Sequence, residues 1–248
     1  MFNNKSARSA PVFTSPGGAV PALCDDMLTR PHLLIAGSTG SGKSVLLNSL
    51  ICSALTYHPN EYRLILIDPK RVELCDYRPV VHTLAYASEP GEIVDALQYA
   101  VAVMESRYKG MQSERRKMYD GGKVLVIVDE LADLLTTQKR DVLPLLQRLA
   151  QLGRAAKVGL YAATQRPTRD ILSGQLKVNM DCRVGLHCPS AIDSRNIIEH
   201  AGAEALPLFG YGYYVTPQGE QVVNIPYTPP EQVNALLRWW LPQGRAQY

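Results

Sequence analysis

Residues Gly37-Ser38-Thr39-Gly40-Ser41-Gly42-Lys43-Ser44 fill every fixed position of the phosphate-binding pattern G-x-x-x-x-G-K-[ST]. The apolar run His32-Leu33-Leu34-Ile35-Ala36 before them reads as a buried strand, and Val45-Leu46-Leu47-Asn48-Ser49-Leu50-Ile51 after them reads as a helix. Strand, loop and helix in that order are the context the pattern needs. Glycines let the backbone fold tightly enough for its N–H groups to point inward, and the helix N-terminus adds partial positive charge. Lys43 is then expected to reach the β- and γ-phosphates of a bound nucleoside triphosphate such as ATP, and the Ser44 hydroxyl to hold Mg²⁺. Gly37, Ser38, Thr39, Gly40, Ser41, Gly42, Lys43, Ser44 and Val45 form the expected cofactor-binding set. A glycine-rich turn with an incidental lysine is the competing reading, and it leaves both flanks unexplained. The pattern identifies a superfamily rather than a task.

Working outward, 248 residues suit one large α/β domain, or one domain with a small appendage, and can bury a core without disulfides. The five cysteines, Cys24, Cys52, Cys75, Cys182 and Cys188, form no C-x-x-C pair and are odd in number. Free thiols in a reducing cytoplasm are the economical reading. Cys182 and Cys188 near His187 fit no common zinc spacing, and alternating strand positions explain them better. No apolar run approaches the roughly 20 residues needed to cross a bilayer, and Met1 to Arg8 is not followed by the hydrophobic segment of a secretory signal. The formal charge is +3, so any nucleic-acid contact needs a local basic lining rather than a cationic surface.

Residues 1–29 are rich in Ser, Pro, Gly and Ala and read as an arm or lead-in, with the compact domain over 30–248. From there strands and helices alternate: His32–Ala36, a helix over Lys43–Tyr57, a strand over Arg63–Asp68, a short strand at Thr83–Tyr86, and a long helix from about Gly91 to Met118. Lys123-Val124-Leu125-Val126-Ile127-Val128 is a β-branched run of the sort found on a fully covered central strand, and Asp129-Glu130 closes it. A helix near Val142–Ala155, strands at Val158–Ala163 and Arg183–Leu186, a short helix at Ser194–His200, a hairpin around Pro217-Gln218-Gly219 and a last helix started by Pro229-Pro230 follow. Such alternation predicts a mainly parallel central sheet flanked by helices.

In open parallel sheets ligands lie beyond the carboxyl ends of the strands, so Gly37, Asp68, Asp129-Glu130 and Gln165 are expected to converge on one crevice. Asp129 is placed to hold Mg²⁺ through its water shell, and Glu130 to orient and partly deprotonate an attacking water; two acids that merely terminate a strand into solvent are the alternative. That makes hydrolysis, rather than nucleotide binding alone, the expectation. Gln165 reads either as a contact to the γ-phosphate or lytic water, or as an ordinary turn amide. Arg154, at a helix end beside small residues, reads either as compensation of the helix dipole or as a guanidinium offered to a neighbouring subunit's nucleotide.

Several further segments lie around these in order: Pro31-His32-Leu33-Leu34-Ile35-Ala36-Gly37, Ile67-Asp68-Pro69-Lys70, Met104-Glu105-Ser106-Arg107-Tyr108-Lys109, Val128-Asp129-Glu130-Leu131-Ala132-Asp133-Leu134, Ala163-Thr164-Gln165-Arg166-Pro167 and Ile192-Asp193-Ser194-Arg195. Together, from about Arg30 to Thr216, the sequence resembles the FtsK/SpoIIIE family of DNA translocases. The resemblance implies a RecA-like P-loop NTPase motor that assembles as a hexamer around double-stranded DNA and moves it by ATP hydrolysis. It also implies that Arg154 is the finger acting in trans, and that pore loops after the A-T-Q-R-P and near the I-D-S-R segments meet DNA. Arg166, Arg169, Lys177 and Arg195 are the candidates for that contact, each set against a solvated or nucleotide-side charge; for Arg195, a pairing with Asp193 or the subunit interface is the alternative. Backbone contacts of this kind imply sequence-independent, salt-sensitive tracking.

Departures from the family pattern include Ala191, where many members carry lysine, and Arg169, where an apolar residue is usual. No winged-helix module is expected after Trp239-Trp240, and the smaller subdomain before the P-loop is expected to be reduced to some 30 residues at most. A minimal motor of this kind suggests a mobile-element setting, in conjugative transfer or phage genome handling, with an unknown recruiting protein. A protein-export ATPase and a nucleotide-switched scaffolding module are the alternative functions.

Overall fold

The computed structural model describes residues 20–172 and 174–241, with side chains from residue 23 onward. Helix α1 (Val20–Thr29) leads into strand β1 (His32–Ala36), helix α2 (Lys43–Leu55) and strand β2 (Tyr62–Ile67). Next come β3 (Thr83–Ala87), α3 (Pro90–Ser113), β4 (Lys123–Val128), α4 (Leu131–Thr137), α5 (Lys139–Leu152) and β5 (Val158–Thr164). The described chain closes with α6 (Gly174–Asn179), β6 (Arg183–Leu186), α7 (Ala191–Ile198), β7 (Tyr211–Thr216), β8 (Gly219–Asn224) and α8 (Pro230–Trp240).

One eight-stranded sheet carries the order β3-β2-β4-β5-β1-β6-β7-β8. The first six strands are parallel, and β7 and β8 add an antiparallel edge. Side chains alternate between its faces, as a pleated strand requires. Leu33, Ile35, Leu64, Leu66, Leu125 and Ile127 pack with residues of α1, α2 and α8, among them Met27, Leu28, Leu46, Leu50 and Leu236. Leu34, Ile65, Ile67, Val126, Val128 and Leu160 pack instead with Leu97 and Met104 of α3, Leu131 and Leu134 of α4, and Leu146 and Leu149 of α5. Each such buried aliphatic side chain contributes about 1.5–3 kcal/mol, which is why continuous apolar runs became the central strands.

β5 lies between β1 and β4, with Ala36 paired to Thr164 and Val128 paired to Ala162. The phosphate-binding loop and the acids after β4 are therefore separated by a single strand, whose last residue stands beside both.

Three expectations change. From Val20 the supposed lead-in is helix α1, and buried Cys24, Met27 and Leu28 make it part of the core, so the compact part of the chain begins by Val20; residues 1–19 lie outside the described residues. Its terminal carbonyls are satisfied from the sheet: Lys123 Nζ donates to Leu28 O at 2.7 Å and to Arg30 O, and Tyr161 Oη donates to Met27 O at 2.6 Å. The helix expected to run to Met118 stops at Ser113. Arg115 adopts φ 55°, its N–H donates to Gln112 O at 3.2 Å and that of Arg116 to Met111 O at 2.8 Å, the paired bonds of a Schellman terminator. The basic Arg115-Arg116-Lys117 run thus lies past the helix. Between β4 and β5 there are two helices rather than one. No helix among the described residues is long and apolar enough to cross a membrane.

Candidate functional site

The loop after β1 is pinned on both sides. The Gly37 N–H donates to Thr164 O at 3.2 Å and the Ser38 N–H to His187 O at 2.8 Å, so the strands flanking β1 set its path. Gly42 caps α2 with φ 105° and ψ 10°, a left-handed conformation that glycine takes without a Cβ penalty. The helix starts at Lys43, and the N–H groups of its first turn, which lack intrahelical acceptors, are available to an anion. A cavity of about 500 Å³ opens here, lined by Ser38, Thr39, Gly40, Gly42, Lys43, Ser44 and Val45. Gly37 and Ser41 lie beneath the loop instead: a Cβ on Gly37 would stand 2.5 Å from the buried Ser41 Oγ.

The far wall of that cavity is Phe209, Gly210, Asn224, Ile225 and Tyr227, from the ends of the β7–β8 hairpin. The Gly210 N–H donates to Ser41 O at 3.3 Å, which attaches this wall to the loop. Sequence reasoning missed these residues. They lie far along the chain from the loop, and only the antiparallel edge of the sheet brings them to it.

Lys43 is buried, and its Nζ donates to Asp129 Oδ1 at 2.7 Å and to Asp129 O at 2.9 Å. The Ser44 hydroxyl donates to Glu73 Oε1 at 2.6 Å. Glu73 comes from the loop after β2 and carried no sequence signal. Ser44, Asp129 and Glu73 supply a hydroxyl and two carboxylates, the hard oxygen donors Mg²⁺ takes, so these residues fit that ion. Glu130 is buried behind them. Its Oε1 accepts from Thr164 Oγ1 at 2.8 Å and from the Gln165 N–H at 3.1 Å, and Lys70 Nζ stands 3.5 Å from its Oε2. Gln165 Oε1 accepts from Thr39 Oγ1 at 3.1 Å. The loop, β5 and the acids thus form one hydrogen-bonded chain, Thr39 to Gln165 to Glu130.

Asp68 does not join the crevice. β2 is separated from β1 by β4 and β5, and Asp68 Oδ2 accepts from the Leu74 N–H at 3.0 Å, so this buried carboxylate shapes the loop that presents Lys70 and Glu73.

Arg154 is exposed at the opposite end of the sheet. It lines a second cavity of about 660 Å³ with Tyr62, Lys123 and Val158, the first residues of β2, β4 and β5. Arg166 and Arg169 are exposed on the loop after β5, and Arg195 is exposed on α7. Among the described residues Arg195 has no carboxylate within 4 Å; Asp193 Oδ2 instead accepts from Ser190 Oγ at 2.7 Å. Lys177, on α6, is turned toward Glu199 at 3.7 Å, which Arg183 Nη1 also meets at 2.7 Å. Burial and the neighbouring Arg183 hold the Lys177 ammonium below its ordinary range, and both cations hold the Glu199 carboxyl low.

Comparison with known proteins fits this geometry. The FtsK/SpoIIIE family model matches residues 16–123 and 120–169. The DNA translocase FtsK of Agrobacterium fabrum is 33% identical across all of this chain, which covers 33% of that protein. The chain spans about a third of the length of the curated relatives it matches. Among solved structures, the cytoplasmic domain of the Thermomonospora curvata type VII secretion ATPase EccC is 25% identical with a TM-score of 0.75, over 88% of this chain and 28% of that one. The pCW3 conjugation coupling protein TcpA, in its monomer form with ATPγS, shares the fold with a TM-score of 0.74 at 23% identity, over 86% of this chain and 66% of that one. With the family matched over most of the described chain and the sheet built as in P-loop ATPase motor domains, this protein belongs to the FtsK/SpoIIIE family.

Proposed function

We propose that this chain is the ATP-hydrolysing motor of a cytoplasmic translocase that moves double-stranded DNA, working as a ring of identical subunits, hexameric when active. One observation carries the reading. Arg154 sits at the start of β4 and β5, whereas the acids stand at the far end of β4 and the phosphate loop at the corresponding end of the parallel strand β1. β4 has six residues, and at about 3.3 Å each its ends are about 20 Å apart, farther than an arginine side chain reaches. An exposed guanidinium there serves the nucleotide of an adjoining copy rather than its own.

In this reading Lys43 and the first-turn N–H groups of α2 hold the phosphates, and Ser44 and Asp129, with Glu73 beside them, hold Mg²⁺. Bound Mg²⁺ neutralises charge on the transferred phosphoryl group. Glu130, aimed by Thr164 and the Gln165 N–H, orients the attacking water and takes its proton. Gln165 reports the state of the γ-phosphate to Thr39 and Glu130. Arg154 of the neighbour offsets charge on the phosphoryl oxygens, a contribution of about 10³–10⁵ in rate for such fingers. Arg166, Arg169 and Arg195 meet the DNA backbone; Lys177 joins them only when Glu199 releases it.

The test is steady-state phosphate release with and without linear duplex DNA across a salt series. Stimulation that fades as salt rises is expected, together with an Arg154→Ala variant that binds nucleotide but turns over about 10³-fold more slowly. Normal turnover by Arg154→Ala sinks the finger assignment. A flat response to DNA favours a second reading, protein export, which the likeness to EccC motivates.

A further inference from the structure

The segment Met104-Glu105-Ser106-Arg107-Tyr108-Lys109 takes no part in the nucleotide site, yet two of its side chains, Arg107 and Tyr108, reach one short turn. Helix α5 ends at Leu152 and β5 begins at Val158, and the turn between them carries Arg154. Arg107 Nη1 donates to Ala156 O at 2.8 Å and to Lys157 O at 2.9 Å, while its guanidinium stands 4.2 Å from the centroid of the Tyr119 ring. The Tyr119 N–H donates to Ala155 O at 2.9 Å, and Tyr108 Oη donates to Leu152 O at 2.7 Å. One helical turn earlier, Glu105 Oε1 accepts from Arg148 Nε at 3.1 Å and Nη2 at 2.7 Å, tying α3 to α5.

The turn closes on itself only in part: the Lys157 N–H donates to Arg154 O at 3.2 Å and the Val158 N–H to Gly153 O at 2.9 Å. Lys157 adopts φ 51°, a left-handed conformation unfavourable for a residue with a Cβ. At Gly153 the chain passes so close to β5 that a Cβ would lie 2.1 Å from Val158 O and 2.6 Å from Leu149 O. Carbonyls past a helix C-terminus lack intrahelical donors, and here α3 supplies them for Leu152, Ala156 and Lys157, and Tyr119 for Ala155. Arg154 itself remains exposed, and among the described residues no carboxylate lies within 4 Å of it.

We infer that Arg107, assisted by Tyr108, is a positioning residue for Arg154: it fixes the turn so that the Arg154 guanidinium faces the γ-phosphate held by the adjoining copy. This rests on the reading of Arg154 as acting in trans. A guanidinium suits the task because one Nη1 donates to two successive carbonyls while the planar, delocalised face of the same group lies over the Tyr119 ring; an ammonium is a point charge without such a face.

The test is complementation in mixed assemblies. Arg107→Met alone is expected to lower DNA-stimulated turnover by about 10²-fold, the scale of a small misplacement, with nucleotide affinity unchanged. Mixed with Glu130→Gln subunits, which keep the turn but cannot activate water, it is expected to recover turnover above the sum of the two preparations. A merely structural defect gives no such recovery. Arg154→Ala mixed with Glu130→Gln is the control. If the control recovers and Arg107→Met does not, or if Arg107→Met retains full turnover, the inference is overturned. If the control itself fails to recover, the reading of Arg154 in trans falls and takes this inference with it. Should Arg107→Met not fold, Tyr108→Phe, which loses only the hydroxyl on Leu152 O, carries the same comparison.

Discussion

Replacing Lys43 by alanine is expected to weaken the fold as well as the chemistry. The Lys43 and Asp129 side chains are 4% and 2% exposed, and the 2.7 Å contact between Nζ and Oδ1 is the only cationic contact the Asp129 carboxylate makes among the described residues. Breaking a buried pair by removing one partner costs about 3–5 kcal/mol, because the remaining charge is left without water or counter-ion. For a domain of this size that is a fall in Tm of about 6–20 °C, at 2–4 °C per kcal/mol. Asp129→Asn in the Lys43→Ala background removes the stranded charge while keeping its shape, so the double variant is expected to regain at least ~1 kcal/mol, within the usual range of coupling between contacting residues. Urea unfolding of the nucleotide-free wild type, both single variants and the double variant measures each step. A Lys43→Ala protein within 1 kcal/mol of wild type, or a double variant less stable than Lys43→Ala, refutes the argument, since the pair would then be solvated or replaceable.

Thr164→Val keeps the shape of a buried residue but removes the hydroxyl that donates to Glu130 at 2.8 Å. A hydrogen bond to a charged group is worth about 1.5–3 kcal/mol, so turnover should fall about 10- to 100-fold with nucleotide affinity unchanged, and Thr164→Ser should restore it. Unaltered turnover in Thr164→Val shows that Glu130 needs no such guide. Burial, aided by the positive charges of Lys123 and Arg154, pulls the His32 imidazole down to about 3, and burial pulls His82 to about 4. The unfolded chain protonates His32 near pH 6.5 and the folded chain only near 3, so throughout that window the unfolded state holds more protons and stability falls as pH falls. At about 1.4 kcal/mol per pH unit, His32 accounts for about 2 kcal/mol between pH 6.5 and pH 5. His32→Asn keeps an acceptor for the Leu160 N–H, now 3.0 Å from Nδ1, and should lose that much less on acidification; equal losses in the two proteins contradict the reading.

What could be read from the sequence was what is local. The phosphate loop, β1, β4 and the acids after it are contiguous stretches whose chemistry and burial are encoded side by side. Helix α1 was legible in principle: Leu23, Cys24, Met27 and Leu28 have helical spacing, and a proline near a helix start is favourable, but the surrounding Gly and Pro suggested an arm. Helix α4, seven residues between Glu130 and Gln138, is shorter than any window in which periodicity shows. Glu73, Thr164, Phe209, Asn224 and Tyr227 belong to the site through topology alone. Asp68 was misread for the complementary reason: one strand, β5, stands between the acids after β4 and the loop, but two, β4 and β5, stand between β2 and β1, and the Asp68 carboxylate turns instead to the Leu74 N–H.

The position of β5 has a mechanical corollary. Its seven residues, Val158 to Thr164, begin at the turn that bears Arg154 and finish at the threonine that donates to Glu130, one residue before the glutamine that meets Glu130 and Thr39. Every one of them is buried, and both long edges are bonded to other strands, so its backbone is held on either side along its length. On the proposed reading of Arg154 as acting in trans, a shift at one end when phosphate arrives or departs would reach the other as a change in where the arginine stands, and a message between the nucleotides of two copies would need to cross no more than a single strand.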